Sequence, residues 1–216
     1  MNTNSASELY TAIRDTLLPL FDLPEPRRAQ VTEELLPRVK IYHTTQYQLL
    51  EEPGAAEEGQ FMLVLQGLVD SYYRCGFTDK LWGRHVYYRN DPIFAPESYY
   101  RGEARTDYIR ALEPSTVLSL SFASLRALEE WHQELNAKLQ LLRSQNTRYL
   151  LEYNLRNTLP ADARIRAFLA QHPTLPHRTT AEVCAMHNHM SRYWYSRTVK
   201  NMTSNKSSQV GECNVD

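Results

Sequence analysis

The spacing of apolar residues changes period along the chain, and each change marks a new kind of element. Leu9, Ile13 and Leu17 recur at helical spacing between Glu8 and Leu20, and Arg28–Leu36 forms a second helical stretch that stops before Pro37. From Val39 to Leu120 the texture shifts to short runs rich in Val, Ile, Tyr and Leu. Phe61–Leu65, Leu68–Tyr73, His85–Tyr88 and Thr116–Leu120 have strand length, and Pro53-Gly54, Gly67, Gly83, Asn90-Asp91-Pro92 and Pro114 punctuate the region. Such runs between turn residues predict antiparallel strands.

After Pro114 there is no proline until Pro160 and no glycine until Gly211, so Ser124–Asn157 is expected to form one helix of roughly 50 Å. Leu125, Leu128, His132, Leu135, Leu139, Leu142, Asn146, Tyr149 and Tyr153 fall alternately three and four apart, the seam of a two-stranded coiled coil. Asn146 within that seam favours a dimer in fixed register, because its amide pairs only with its twin. The same stripe can instead pack on strands of its own chain. Past Pro160, Ala161–Gln171, Ala181–His187 and Ser191–Met202 form shorter helical segments, and Thr203–Asp216 reads as a polar, frayed tail.

Charge divides unevenly over this pattern. Residues 1–140 hold 14 basic against 20 acidic side chains, whereas residues 141–216 hold 10 against 5, so the helical end is the basic one and suits an acidic partner such as nucleic acid. Cys75, Cys184 and Cys213 are odd in number and widely spaced, which fits reduced thiols and a cytoplasmic setting better than a disulfide framework. The polar stretch Met1–Ser7 and the lack of about 18 consecutive apolar residues predict neither a signal peptide nor a membrane span.

Two stretches carry a family resemblance. Gly54–Tyr73 reads GAAEEGQFMLVLQGLVDSYY and Arg105–Glu113 reads RTDYIRALE. In the order strand module, long helix, basic helical end, they make residues 25–202 resemble the CRP/FNR superfamily of transcription regulators, with the line FVLxGxVxxYY and the line R-S-A-x-V-x-A, Thr replacing Ser. The resemblance implies an α+β fold: an N-terminal double-stranded antiparallel β-roll of the cyclic nucleotide-binding type, a long dimerisation helix and a C-terminal helix-turn-helix. It implies boundaries at 1–121 for the sensor with its flanking helices, 122–158 for the dimerisation helix, 159–204 for the DNA-binding part and 205–216 for a disordered tail.

The resemblance also implies an effector cassette of Glu97, Arg105 and Thr106 for a cyclic nucleotide, the guanidinium and hydroxyl on phosphate and the carboxylate on ribose. Two departures count against it. Pro96-Glu97 stands where the family has Gly-Glu, and the segment to Arg105 is short and crowded by Tyr99, Tyr100 and Arg101. Arg105 in an internal ion pair with Glu97 or Asp107 is the alternative, and no cofactor is assigned with certainty.

Thr179–Met202 resembles a helix-turn-helix, with Val183, Cys184 and His187 inward on the first helix, Ser191 as N-cap of the second, and Tyr195, Thr198, Val199 and Met202 inward on the second. Arg192, Tyr193, Ser196, Arg197 and Lys200 then face outward, with Thr179 and Thr180 for phosphates. The usual turn glycine falls on His189, or on Asn188 if the turn is one residue longer. A β-wing after the second helix is not visible.

Other chemistries fare worse. Three scattered cysteines do not make an iron–sulfur site, and His43 and His85 are lone histidines rather than haem ligands. Cys184, His187 and His189 lack a fourth zinc ligand, Cys213 being a poor one. Gly83-Arg84-His85-Val86 lacks a second histidine for an oxygenase triad. The expectation is a dimeric regulator that binds DNA, with an unidentified small-molecule effector and no enzymatic or membrane role. The alternative is a dimeric ligand-binding or interaction protein that has lost specific DNA recognition.

Overall fold

The computed structural model describes residues 3–23 and 25–210. The N-terminal helices are α1 (Thr3–Ala12), α2 (Leu18–Phe21) and α3 (Glu25–Leu35), with a π-helical turn at Ile13–Leu17 joining the first two. Eight strands follow: β1 (Val39–Thr44), β2 (Leu49–Glu51), β3 (Gln60–Gln66), β4 (Val69–Arg74), β5 (Leu81–Tyr87), β6 (Pro92–Ile93), β7 (Tyr108–Ala111) and β8 (Ser115–Ser121), interrupted by α4 (Pro96–Arg101). Helices α5 (Phe122–Trp131), α6 (Gln133–Asn157), α7 (Ala161–Gln171), α8 (Leu175–Arg178), α9 (Ala181–His187) and α10 (Arg192–Val210) complete the described chain. None of the described helices is long and apolar enough to cross a membrane.

The strands form two four-stranded sheets, ordered β1-β8-β3-β6 and β2-β7-β4-β5. Antiparallel register is set by Val39 opposite Leu120 on one side of β8 and by Phe61 opposite Leu120 on the other. The near-continuous apolar run of β3 has a simple cause, since both of its faces are covered. Phe61 and Leu63 join the core beneath the helices, whereas Met62 and Val64 join Val69, Ile109 and Val117 in a second core. Gly67 turns the chain between β3 and β4 at φ +96°, where a Cβ would lie 2.8 Å from the Ser115 Cα.

The chain divides into two compact units. One runs up to Ser71 and resumes over Val86–Tyr149; the other joins Tyr72–His85 to everything from Leu150 on. In the first unit, Asp70 is fully buried and its carboxylate takes two hydrogen bonds from Arg110, at 3.1 and 2.9 Å. The second unit contains the distal part of the β4–β5 hairpin as well as the C-terminal helices, a grouping that the linear order of elements does not suggest.

Three expectations need correcting. Ser124–Asn157 is two helices, broken at His132, whose φ of −131° leaves the helical region. The imidazole there is buried and lies 2.9 Å from Glu34 Oε2 of α3, and this contact holds the Glu34 carboxyl below its usual range. A tertiary contact to Glu34, not a proline or glycine, accompanies the break.

Second, the N-terminal part of the seam is covered by its own chain, while Asn146 and Tyr149 are half-buried. Leu125, Leu128, Leu135, Leu139 and Leu142 are buried with Ile13, Leu17, Phe21 and Leu35 in the core of their own chain. The apolar side chains that α6 does expose are Leu141, Leu151 and Leu155, which the 3.6-residue period brings to one face. Third, the segment from Thr203 is not frayed throughout: α10 continues to Val210, and residues 211–216, with Cys213, lie outside the described residues.

Candidate nucleic-acid interface

The C-terminal helices begin where capping chemistry predicts. The Thr180 hydroxyl accepts from the Val183 N–H at 3.4 Å to open α9, and the Ser191 hydroxyl accepts from the Trp194 N–H at 3.3 Å to open α10. Val183, Cys184 and His187 are buried on α9, and Tyr195 is buried on α10, with Thr198 and Val199 half-buried beside it. Burial pushes the Cys184 thiol up, opposed by hydrogen bonds from Tyr195 and Thr179, and makes it an unreactive core sulfur.

The turn uses the less accommodating of two residues. His189 takes the left-handed conformation at φ 53°, while Asn188 stays at φ −105°. Asn188 is fully buried; its Nδ2 donates to the Cys184 carbonyl at 2.8 Å, which ties the turn back onto α9. The ungapped alignment of the turn is therefore the structural one.

Arg192, Tyr193, Ser196, Arg197 and Lys200 line one shallow concavity on α10. Their spacing of one, three, one and three residues keeps them on a single face of the helix. Arg197 also lies over the Trp194 ring at 5.5 Å, and Trp194 is 56% exposed, an aromatic platform that the sequence reading passed over. Thr179 and Thr180 are not part of this concavity. Thr180 is engaged as the α9 cap, and the Thr179 hydroxyl donates to the Thr180 carbonyl at 3.3 Å. The face can supply two guanidinium forks, one ammonium, a hydroxyl and aromatic edges, a donor set suited to phosphates and to guanine O6/N7.

The three effector-cassette residues serve three different sets of partners. Glu97 sits in the first turn of α4, with Pro96 pre-setting that turn and Gly102 ending it at φ 68°, and pairs with Arg101 at 2.9 Å and Arg143 at 3.3 Å. The Thr106 hydroxyl donates to Asp107 Oδ1 at 2.9 Å. Arg105, only 6% exposed in its side chain, pairs with Glu51 Oε1 at 2.7 Å and donates from Nε to the Ala55 carbonyl at 3.1 Å. Glu58 lies 3.5 Å from its Nη2.

The guanidinium that a cyclic phosphate would need is thus already neutralised from within, by Glu51 rather than by Glu97 or Asp107. Burial pushes the Glu51 carboxyl up and Arg105 pulls it back down. Gly54 allows this closure, since a Cβ there would stand 2.8 Å from Arg105 Nη2, and Gly54 and Arg105 exchange backbone hydrogen bonds at 3.2 and 2.8 Å. The sequence offered no local signal for Glu51, which reaches Arg105 across more than fifty residues.

Neither a protein-family profile nor any curated protein matches the chain. Solved structures do. FixK2 of Bradyrhizobium japonicum matches with a TM-score of 0.67 at 14% identity, over 78% of this chain and 86% of its own. CLP, a c-di-GMP responsive global regulator of Xanthomonas campestris, matches with a TM-score of 0.68 at 14% identity, over 82% of this chain and 93% of its own. A transcriptional regulator assigned to the crp/fnr family from Eubacterium rectale matches with a TM-score of 0.69 at 12% identity, over 85% of each chain. With its two antiparallel sheets and C-terminal helices, the chain has the fold of CRP/FNR-type transcription regulators.

Proposed function

We propose that this protein is a dimeric DNA-binding transcription regulator of the CRP/FNR type that reads DNA with α10. The observation that carries the reading is the single basic face of Arg192, Tyr193, Ser196, Arg197 and Lys200 on a properly capped second helix. Two such helices about one turn of DNA, roughly 34 Å, apart would read a two-fold site. Arg192 and Arg197 supply bidentate contacts, each worth about 1–3 kcal/mol at a guanine. Lys200 supplies a phosphate contact and part of the salt dependence.

Genomic fragments enriched on the full-length protein provide the probe. Replacing Arg192 and Arg197 together by Ala is expected to weaken the best enriched duplex about a hundredfold or more, read by fluorescence anisotropy at fixed salt. Unchanged affinity in the double variant would remove α10 as the reader. Retention on DNA that is steep in salt but indifferent to sequence would favour the interaction-protein reading.

We assign the dimer contact to the α6 face that carries Leu151 and Leu155. Leu151 and Leu155 are 60% and 59% exposed, too apolar a pair to leave facing water one turn apart on a helix. Leu151→Glu with Leu155→Glu places like charges across a two-fold contact. Sedimentation at micromolar concentration is expected to shift from a dimer to a 25.2 kDa particle. A dimer that survives both substitutions would exclude this face.

A further inference from the structure

The second compact unit contains an aromatic cluster that neither the DNA-reading face nor the effector cassette uses. His189, in the turn that sets the direction of α10, stacks on Trp82 of β5 with ring centroids 4.9 Å apart and planes 18° from parallel. Tyr73 of β4 meets the same imidazole edge-on at 6.4 Å, and Tyr153 of α6 does so at 5.5 Å. The Tyr153 hydroxyl donates to the Gly83 carbonyl at 3.0 Å and lies 2.5 Å from His189 Nε2.

The backbone of β5 is pressed against α9 as well. A Cβ on Gly83 would stand 2.4 Å from the ring of His187, which is itself 1% exposed and stacked at 18° on Phe168 of α7. Glycine inside a strand marks close approach of another backbone or ring, and this one has that cause. His189 meanwhile adopts a φ that costs a side chain energy and that glycine would adopt freely. A residue kept in that conformation needs surrounding contacts to hold it, and Trp82, Tyr73 and Tyr153 are those contacts.

We propose that His189 is a positioning residue through which the β4–β5 hairpin holds the helix-turn-helix, so that a displacement of the hairpin is transmitted to the direction of α10. The clasp itself is independent of DNA; its consequence for regulation rests on the reading of α10 given above. The hairpin is the lever, the Trp82–His189 stack is its grip, and the left-handed turn is the joint that moves. Signal transfer on this route passes over the aromatic face of the hairpin.

Two full-length variants separate the clasp from the fold. Trp82→Ala removes the stack and leaves the turn strained. His189→Gly removes the ring and suits the turn better than the native residue, so the helices are expected to stay folded by far-UV circular dichroism. In hydrogen–deuterium exchange, both variants should release amides of the hairpin at 72–85 by about tenfold, with those of β1 and β8 unaffected, because the stack is the shared support. Trp82→Ala should also release the turn at 188–191. In the double variant the losses should not add. Hairpin protection at the wild-type level in His189→Gly, or additive losses in the double variant, overturns the proposal.

The DNA arm uses the wild-type-enriched duplex. Both variants should change its affinity while every α10 contact residue remains in place. If no duplex is enriched by the wild-type protein, the DNA-reading assignment fails while the exchange experiment still decides the clasp.

Discussion

Replacing Asp70 by Ala should lower the stability of the first unit by about 3–5 kcal/mol, with the urea midpoint as readout. The native pair is fully buried on the Asp70 side and bidentate, with an Arg110 side chain 19% exposed. The loss comes from removing the buried carboxylate that takes both of these guanidinium hydrogen bonds. Arg110 also lies 5.6 Å from the Tyr47 ring centroid, so a shift of the guanidinium would disturb that contact too. Replacing both Asp70 and Arg110 by Leu and Met should recover most of the loss, because the shape is then filled without an unpaired charge. A single Asp70→Ala variant as stable as the wild type would show that the pair contributes nothing.

The second unit should lose stability on mild acidification. Burial, with neighbouring His187 and Arg156, holds His172 down to about 3, and burial with the charges of His172, His187 and Arg156 does the same for His85. His189 is held at about 4, by burial first and then by Arg164, Arg156 and His187 against a favourable contact to the Gly83 carbonyl. These imidazoles start from 6.5 in the unfolded chain.

Above that value neither state is charged and the groups cost nothing. Below it the unfolded chain takes protons that the folded unit refuses, so stability falls until the folded values are reached. The slope is roughly 1.4 kcal/mol per pH unit for each imidazole. By pH 5 the three together remove on the order of 4–6 kcal/mol, a large fraction of the stability of an ordinary domain. Urea unfolding at pH 7 and pH 5, followed by exchange protection of α7 and α9, checks it. A midpoint that does not move between those two pH values would contradict the neutral burial of these side chains.

Much of the β-roll was legible because its strands are runs of apolar residues between turn residues, and a strand covered on both faces keeps its hydrophobic character at every position. The helix-turn-helix was legible for a different reason: Thr180 and Ser191 are caps whose chemistry is local. What stayed hidden depends on partners distant in sequence. The leucines from 125 to 142 have the same spacing whether a second copy or the chain's own α1–α3 covers them, so periodicity predicted the stripe and not its cover.

The break at His132 coincides with a contact to Glu34, nearly a hundred residues earlier, and the partner of Arg105 is Glu51 rather than a carboxylate adjacent in sequence. Gly83 was visible only as punctuation, although it lies inside β5 and is the point where a strand meets a helix. Trp82 carried no recognisable motif and Tyr153 only the last place in the heptad seam, and their meeting with His189 is what makes them a site.

The alternation of β3 between two cores has a consequence for how its gene can vary. A substitution at Phe61 or Leu63 is tested by the core they share with the helices and with β1 and β8, and one at Met62 or Val64 by the other core. Inserting or deleting one codon exchanges the two sets at once, so every side chain beyond the lesion meets neighbours shaped for a different residue. Descendants of this sequence should therefore drift in spelling along the strand while keeping its length.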